Sequence, residues 1–371
     1  MDTFPQQQLP KHLRDLLKNK VNNMPLEGYL NAQEEVDCFQ VGSLSLQQAH
    51  QEKTIKAHIA EQLGVSVHQL CLGSSPQNLR SLLLQLTCSC KRDHCIALSP
   101  QRPEVQQLMA LHQVQQTVLP LKYLLELPVD SIKNQTALNS KLLILDHPNA
   151  ITGALLQKFD IADVVTSFDG WVLIDETAIG ASPVDSMKTI VSTCSNAIVL
   201  QRTIGGLAVL IAHPEVVQLV EQCRIDLPFA QLQYAAKSMI LDTQQEKNLV
   251  IATLQKERKA LTKALEVLPF VEQVYPSHTN SLLLRVKNAD EIVHFLRESE
   301  RILVYRVPAL EDLNNGIRLT LGTPLDNLRL RNALEQLPEK MNPRRAFWGD
   351  ISKGLRKAGS FFGFFKKILG M

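Results

Sequence analysis

The chain has 371 residues, 45% of them hydrophobic and 20% charged, and its 39 Lys and Arg nearly cancel its 37 Asp and Glu. That length leaves room for roughly two domains with real cores. Ordinary counts of Gly and Pro exclude collagen-like and low-complexity chains, and seven Cys make no disulfide scaffold. No apolar run approaches the roughly 18 residues of a membrane span, and the N-terminal stretch lacks the apolar core of a secretory signal, so a reducing cytoplasm is expected. The net charge of +2 hides an asymmetry. Residues 344–371 carry seven basic residues against Asp350 alone, a net +6, which leaves −4 for the rest.

In chain order, residues 1–30 read as an arm with a short amphipathic helix near His12–Lys20. A helical pattern follows and ends at Gly64, then a short apolar run at Leu70–Leu72 and a helix over Leu79–Leu86. Cys95–Leu98 reads as extended, Glu104–His112 as helical and Val114–Leu119 as extended. Lys141–Leu145, Trp171–Ile174 and Ala197–Leu200 are short apolar runs of the kind that form buried parallel strands. Helical spacers of about 20 residues between them complete a βαβ rhythm.

Beyond Pro214 the rhythm changes. A long helical region covers Pro228–Leu268 with a break near Asp242. Strands at Phe270–Tyr275, Ser281–Val286, Ile302–Val307 and Ile317–Leu321 follow, with helices over Ala289–Glu298 and Leu325–Leu337. The expected organisation is an arm (1–30), a large α/β domain with a parallel sheet (31–222), a smaller α+β domain (223–341) and a basic tail (342–371).

Several segments carry a family resemblance. They are Tyr29-Leu-Asn-Ala-Gln-Glu34, His147-Pro-Asn-Ala-Ile-Thr-Gly153, Val172-Leu-Ile-Asp-Glu176, Leu268-Pro-Phe-Val-Glu-Gln-Val274, Thr279-Asn280 and Gly316-Ile-Arg-Leu-Thr-Leu-Gly-Thr323. In this order, over roughly residues 10–340, they resemble histidinol-phosphate aminotransferases. These are pyridoxal-phosphate enzymes of the aspartate-aminotransferase fold, with a large parallel-sheet domain and a smaller α+β domain. The resemblance implies a homodimer and no nucleic-acid partner. It also implies that Asp175 is the aspartate facing the cofactor's ring nitrogen, at the strand end where open α/β sheets bind ligands. Arg318 matches the arginine that clamps the substrate carboxylate. Read without the resemblance, Asp175 is a strand-end Asp capping a turn, and Arg318 an inward Arg paired with Glu311 or Asp312.

Other positions depart from the family pattern. The segment carrying the Schiff-base lysine is shortened by about eight residues, because Arg202-Thr203 runs directly into Ile204-Gly-Gly-Leu207. No lysine lies between Lys188, placed in a helix before the strand, and Lys237. Ala150 and Ala178 replace the residues that reach the ring oxygen, Arg102 replaces the ring-stacking tyrosine, and Pro76 offers no N–H in the phosphate turn. Gln47-Gln-Ala-His50 replaces the tyrosine contributed across the dimer. The departures imply a protein without transaminase activity and without a cofactor. The alternative is a PLP-dependent aminotransferase that is active or weakly active, and a third reading is an assembly scaffold.

Two further features complete the reading. Cys88, Cys90, His94 and Cys95 lack the spacing of a structural zinc site, so no metal is expected. In the tail, Trp348, Ile351, Leu355, Ala358, Phe362, Phe365 and Leu369 fall at alternating spacings of three and four on one helical stripe. Lys353, Arg356, Lys357 and Lys367 lie opposite. A cationic helix with an aromatic-rich apolar face suits an anionic membrane surface, which puts the protein at the inner face of a membrane. The same stripe also suits a groove on a protein partner or on the body of the chain, and a disordered basic tail is a third reading.

Overall fold

In the computed structural model, residues 41–340 are described except 89–92, 136–139, 182–183, 204–205, 242–243 and 311–312. The N-terminal arm, the family-like motif Tyr29–Glu34 and the whole tail stripe from Trp348 to Leu369 lie outside the described residues. The chain divides into two compact units, residues up to 254 with 276–280, and 255–275 with 281 onward.

The first unit is built on a seven-stranded sheet. Its strands are β1 (Leu70–Gly73), β2 (His94–Ser99), β3 (Gln115–Pro120), β4 (Ser140–Asp146), β5 (Trp171–Asp175), β6 (Ala197–Arg202) and β7 (Ala208–Ala212), in the order β1-β7-β6-β5-β4-β2-β3. Pairs from β6 to β3 are parallel, and β7 runs antiparallel to both β6 and β1. Strict alternation along the strands explains why both faces are dry. Val172, Ile174, Leu143, Leu145 and Val199 enter one core layer, while Trp171, Leu173, Leu142, Ile144 and Ile198 enter the other. Each such side chain taken fully out of water contributes about 1.5–3 kcal/mol.

Helices cover the two faces. Around the sheet run α1 (Val41–Leu63), α2 (Pro76–Thr87), α3 (Pro103–Leu111), α4 (Val129–Gln135), α5 (Lys158–Ser167), α6 (Pro214–Cys223) and α7 (Phe229–Leu241). Helix α1 ends because Gly64 turns left-handed (φ +64°), its N–H donating to Glu61 O and that of Val65 to Ala60 O. Helix α2 starts where Ser75 accepts from Asn78 N at 3.1 Å and Pro76 takes the first turn. Its Leu79, Leu82, Leu83 and Leu86 form a buried stripe on the layer of Leu142 and Leu173.

The second unit contains the antiparallel sheet β10-β11-β9-β8, made of β8 (Val271–Val274), β9 (Ser281–Val286), β10 (Tyr305–Arg306) and β11 (Gly316–Thr320). The helices α9 (Ala289–Glu298) and α10 (Pro324–Lys340) belong to it. The residues Ala289, Ile292 and Leu296 supply the buried side of α9.

The structure departs from the sequence reading at definite places. The division falls inside α8 (Gln244–Glu266) rather than at 222/223, because Leu232 and Ala235 of α7 are buried in the first unit's core. The spacer between β5 and β6 holds two short 3-10 turns, Ile179–Ala181 and Lys188–Ser192, and no α-helix is described there. Its chain is tied down instead by Glu176, which accepts from Met187 N at 2.6 Å and Ser186 Oγ at 2.5 Å. The strand expected over Ile302–Val307 shrinks to Tyr305–Arg306, since Arg301 is left-handed (φ +57°) and Ile302 N donates back to Leu296 O. Beyond the elements expected from the sequence, the chain forms strand β7 and helix α6.

Candidate functional site

The strands β4 and β5 end together, with Asp146 directly beside Asp175 in the parallel register. Pleating sends both carboxylates to the face that α2 and α3 cover. Two arginines meet them there. Arg80, from the buried stripe of α2, donates from Nε to Asp175 Oδ2 at 2.6 Å. Arg102, the residue preceding α3, donates from Nε to Asp146 Oδ2 at 3.1 Å and from Nη2 to Asp175 Oδ1 at 3.3 Å.

Thr177 ties the group together. Its hydroxyl donates to Asp175 Oδ1 at 2.5 Å and accepts from Arg102 Nη1 at 2.7 Å and Arg80 Nη2 at 3.2 Å. Its backbone N–H also reaches Asp175 Oδ1, at 3.1 Å. Asp175 is wholly out of water and Arg80 almost so, at 0% and 2% exposure.

The two carboxylates differ electrically. Burial by itself would raise the Asp175 carboxyl, but the charges of Arg102 and Arg80 and the Arg80 and Thr177 hydrogen bonds outweigh it and bring it down to about 2. For Asp146, burial and the Asp175 charge outweigh the charges of Arg102 and the more distant Arg80 and the Arg102 hydrogen bond, and hold it above the usual carboxylate range. Its Oδ1 has no hydrogen-bond partner among the described residues. Burial pulls the Arg102 guanidinium down, yet Asp146 and Asp175 outweigh it and hold it above its ordinary value. Paired and hydrogen-bonded in this way, four buried charges are tolerable.

The other sequence-predicted positions lie as follows. Arg318, on β11, donates from Nε to Ser281 Oγ on the neighbouring β9 at 3.0 Å. Between strands β6 and β7, Thr203 N donates to Leu207 O and Gly206 N to Thr203 O. Lys188 begins a 3-10 turn rather than sitting in a helix. The phosphate turn is spent on helix capping, since Ser75 Oγ holds Asn78 N. Next to Ala150, Asn149 is fully buried and accepts from Ile151 N and Thr152 N, the work of a turn. The His94 ring is engaged on both nitrogens, by Ser140 Oγ and Thr117 Oγ1 at 2.9 Å each.

Sequence reasoning missed Arg80, Asp146 and Thr177. A signal for Arg80 existed, because it interrupts a buried stripe between Leu79 and Leu83, where a cation requires a buried partner. Nothing local marked Thr177.

The family profile for "Aminotransferase class I and II" matches residues 16–337. The chain belongs to the class I and II aminotransferase family. A histidinol-phosphate aminotransferase of Flavobacterium psychrophilum is 23% identical over 346 residues, covering 88% of this chain and 99% of that one. The crystal structure of the histidinol-phosphate aminotransferase from Clostridium acetobutylicum superposes with a TM-score of 0.69 at 17% identity, over 88% and 96% of the two chains. That of the Sinorhizobium meliloti enzyme in complex with pyridoxal-5'-phosphate gives 0.68 at 16% identity, over 80% and 88%. These likenesses establish an aspartate-aminotransferase-like fold.

Against the aminotransferase pattern, Asp175 stands at the expected strand end but faces an arginine of its own chain. Its Oδ1 already has three donors and its Oδ2 is met by Arg80. As arranged, this carboxylate does not fit the ring nitrogen of pyridoxal phosphate, which would need the place of the Arg80 guanidinium. The donors around Asp175 are two guanidiniums, a hydroxyl and a backbone N–H, with no amine nucleophile among them.

Proposed function

We propose that this chain is a histidinol-phosphate-aminotransferase-like protein without transaminase activity, a binding or regulatory module on an enzyme fold. The observation that carries the reading is the buried Arg80–Asp175 ion pair, in which the chain's own cation takes the partner that a cofactor ring would require. The shortened β6–β7 connection and the absence of lysine between Lys188 and Lys237 support it. In this reading the protein is a homodimer, cytoplasmic, and carried to an anionic membrane surface or to a protein groove by its basic tail.

A second reading is favoured by the comparisons. The chain covers 99% of the length of a relative named as a histidinol-phosphate aminotransferase, and a structural relative holds pyridoxal-5'-phosphate. On that view this protein is a PLP-dependent aminotransferase of amino-acid metabolism, with Asp175 facing the cofactor and Arg318 the substrate carboxylate. The two readings separate in one titration. Pyridoxal phosphate is added to the purified protein with and without amino-acid donors, and cofactor absorbance and keto-acid formation are followed. The first reading expects no saturable change. A saturable spectral change that donor reverses, with keto acid released, establishes the second.

A further inference from the structure

Asp175, Asp146, Arg102 and Thr177 form a negatively charged socket at the ends of β4 and β5, and Arg80 is the plug that fills it. Asp175 receives Arg80 Nε at 2.6 Å, and the Thr177 hydroxyl receives Arg80 Nη2 at 3.2 Å. Two N–H groups from different nitrogens of one planar guanidinium therefore face two oxygens, a geometry that selects a flat, forked cation over a point charge. The socket is built by β5 and the turn after it, whereas the plug comes from α2, 95 residues earlier in the chain. Asp175 is 0% exposed, so an empty socket would leave a carboxylate buried beside Arg102 as its remaining cation, itself shared with Asp146. The plug belongs to the chain itself and fills the socket in this structure.

We propose that Arg80 is an internal ligand of a planar-cation site formed by Asp175 and Thr177, and that shortening this one side chain turns the site into a receptor for small guanidinium-type cations. The inference deepens the reading above, because it assigns closure of the site to Arg80 separately from the missing lysine. It concerns binding alone and does not depend on the transaminase result. If the wild-type chain transaminates, the functional reading fails while the experiment below still reports on the site.

Arg80→Ala and wild-type full-length protein are melted in increasing methylguanidinium at millimolar concentration, with methylammonium at equal ionic strength as the control. The expected result is a loss on the order of 10 °C for Arg80→Ala. Several degrees are regained with methylguanidinium, rising with the logarithm of its concentration, with little regained in methylammonium and no shift in wild type. Equal recovery in both cations, or none, overturns the proposal.

If Arg80→Ala does not accumulate as folded protein, the charge-free pair Arg80→Met with Asp175→Asn replaces it. The double variant is then expected to melt above the Arg80→Met single variant, or to be soluble where the single is not. Additive losses, or insolubility of single and double variants alike, also overturn the proposal.

Discussion

Asp146 and Asp175 are register partners, the last residues of adjacent parallel strands, and their carboxylates share one face of the sheet. Neighbouring strands lie about 4.8 Å apart, so two like charges in this register repel unless cations intervene. The intervening cations are shared unequally, because Asp175 is reached by both arginines and Asp146 by Arg102 alone. The inequality predicts unequal variants at pH 7. Asp175→Asn is expected to cost about 3 kcal/mol or more, since it leaves Arg80 buried without its counter-ion. Asp146→Asn, replacing a carboxylate held above its ordinary range by burial, is expected to cost about 1 kcal/mol or less. Urea unfolding of the two variants decides, and an equal or larger loss for Asp146→Asn would refute the assignment.

The same pair gives a pH dependence. A carboxyl lowered to about 2 contributes stability that is present above the ordinary carboxylate range and is lost as pH falls through about 2. Asp175→Asn should therefore flatten the acid limb of the wild-type stability curve below about pH 4. An unchanged acid limb would show that Asp175 is not held low.

Thr177 can be tested with a pair of substitutions. Thr177→Val keeps the shape but leaves two guanidinium N–H groups and one carboxylate oxygen short of a partner, at a cost of about 1–3 kcal/mol. Thr177→Ser keeps the hydroxyl and should recover most of that loss. Thermal unfolding compares them, and equal losses would mean that packing rather than hydrogen bonding is at stake.

His147 predicts a second, separate pH effect. Its ring is fully buried with no partner for either nitrogen among the described residues, and burial, with the charges of Lys158 and His278, lowers it to about 4. An unfolded chain takes this proton first, so the stability is present above the ordinary histidine value of about 6.5 and is lost as pH falls from there toward 4. The loss is on the order of 3 kcal/mol. His147→Leu should flatten the stability curve in that window while changing little at pH 8. A slope identical to wild type would exclude His147 as its source.

Gly153 holds a left-handed turn (φ +77°), and a Cβ there would fall on Ser277 Oγ, within 2.7 Å of Ser277 Cβ and 3.0 Å of its Cα. Gly153→Ala therefore combines backbone strain with a collision against a chain held by the His278 N–Gly153 O bond, and should cost about 2 kcal/mol or more. Adding Ser277→Gly should return only part of this, because the φ cost persists. Full recovery would mean that collision alone was responsible.

For the tail, full-length protein is expected to sediment with anionic vesicles and weakly with neutral ones, and residues 1–343 with neither. Equal binding by both chains would reject attachment through the stripe from Trp348 to Leu369.

Much of the fold was legible because its signals are local. The strand Ser281–Val286 and the helix Ala289–Glu298 lie where apolar periodicity puts them. Strand β7 is masked in the sequence although Ala208–Ala212 is an apolar run, because Leu207 follows so closely on β6 that the stretch resembles a shortened loop. Local signals fail where a tether overrides them, as at Ile302, whose backbone is bound to the end of α9.

By itself the sequence determined the apolar runs at the centre of the large sheet, β4, β5 and β6, and that Asp175 stands at the end of one of them, since such runs are local patterns. Only the tertiary structure decided what faces that carboxylate. Arg80 meets Asp175 because α2 lies on the layer into which β4 and β5 project their terminal aspartates. Strand order and pleat set that meeting across 95 residues of chain. Periodicity states that a buried charge must find a partner, but which partner is a property of the packed sheet.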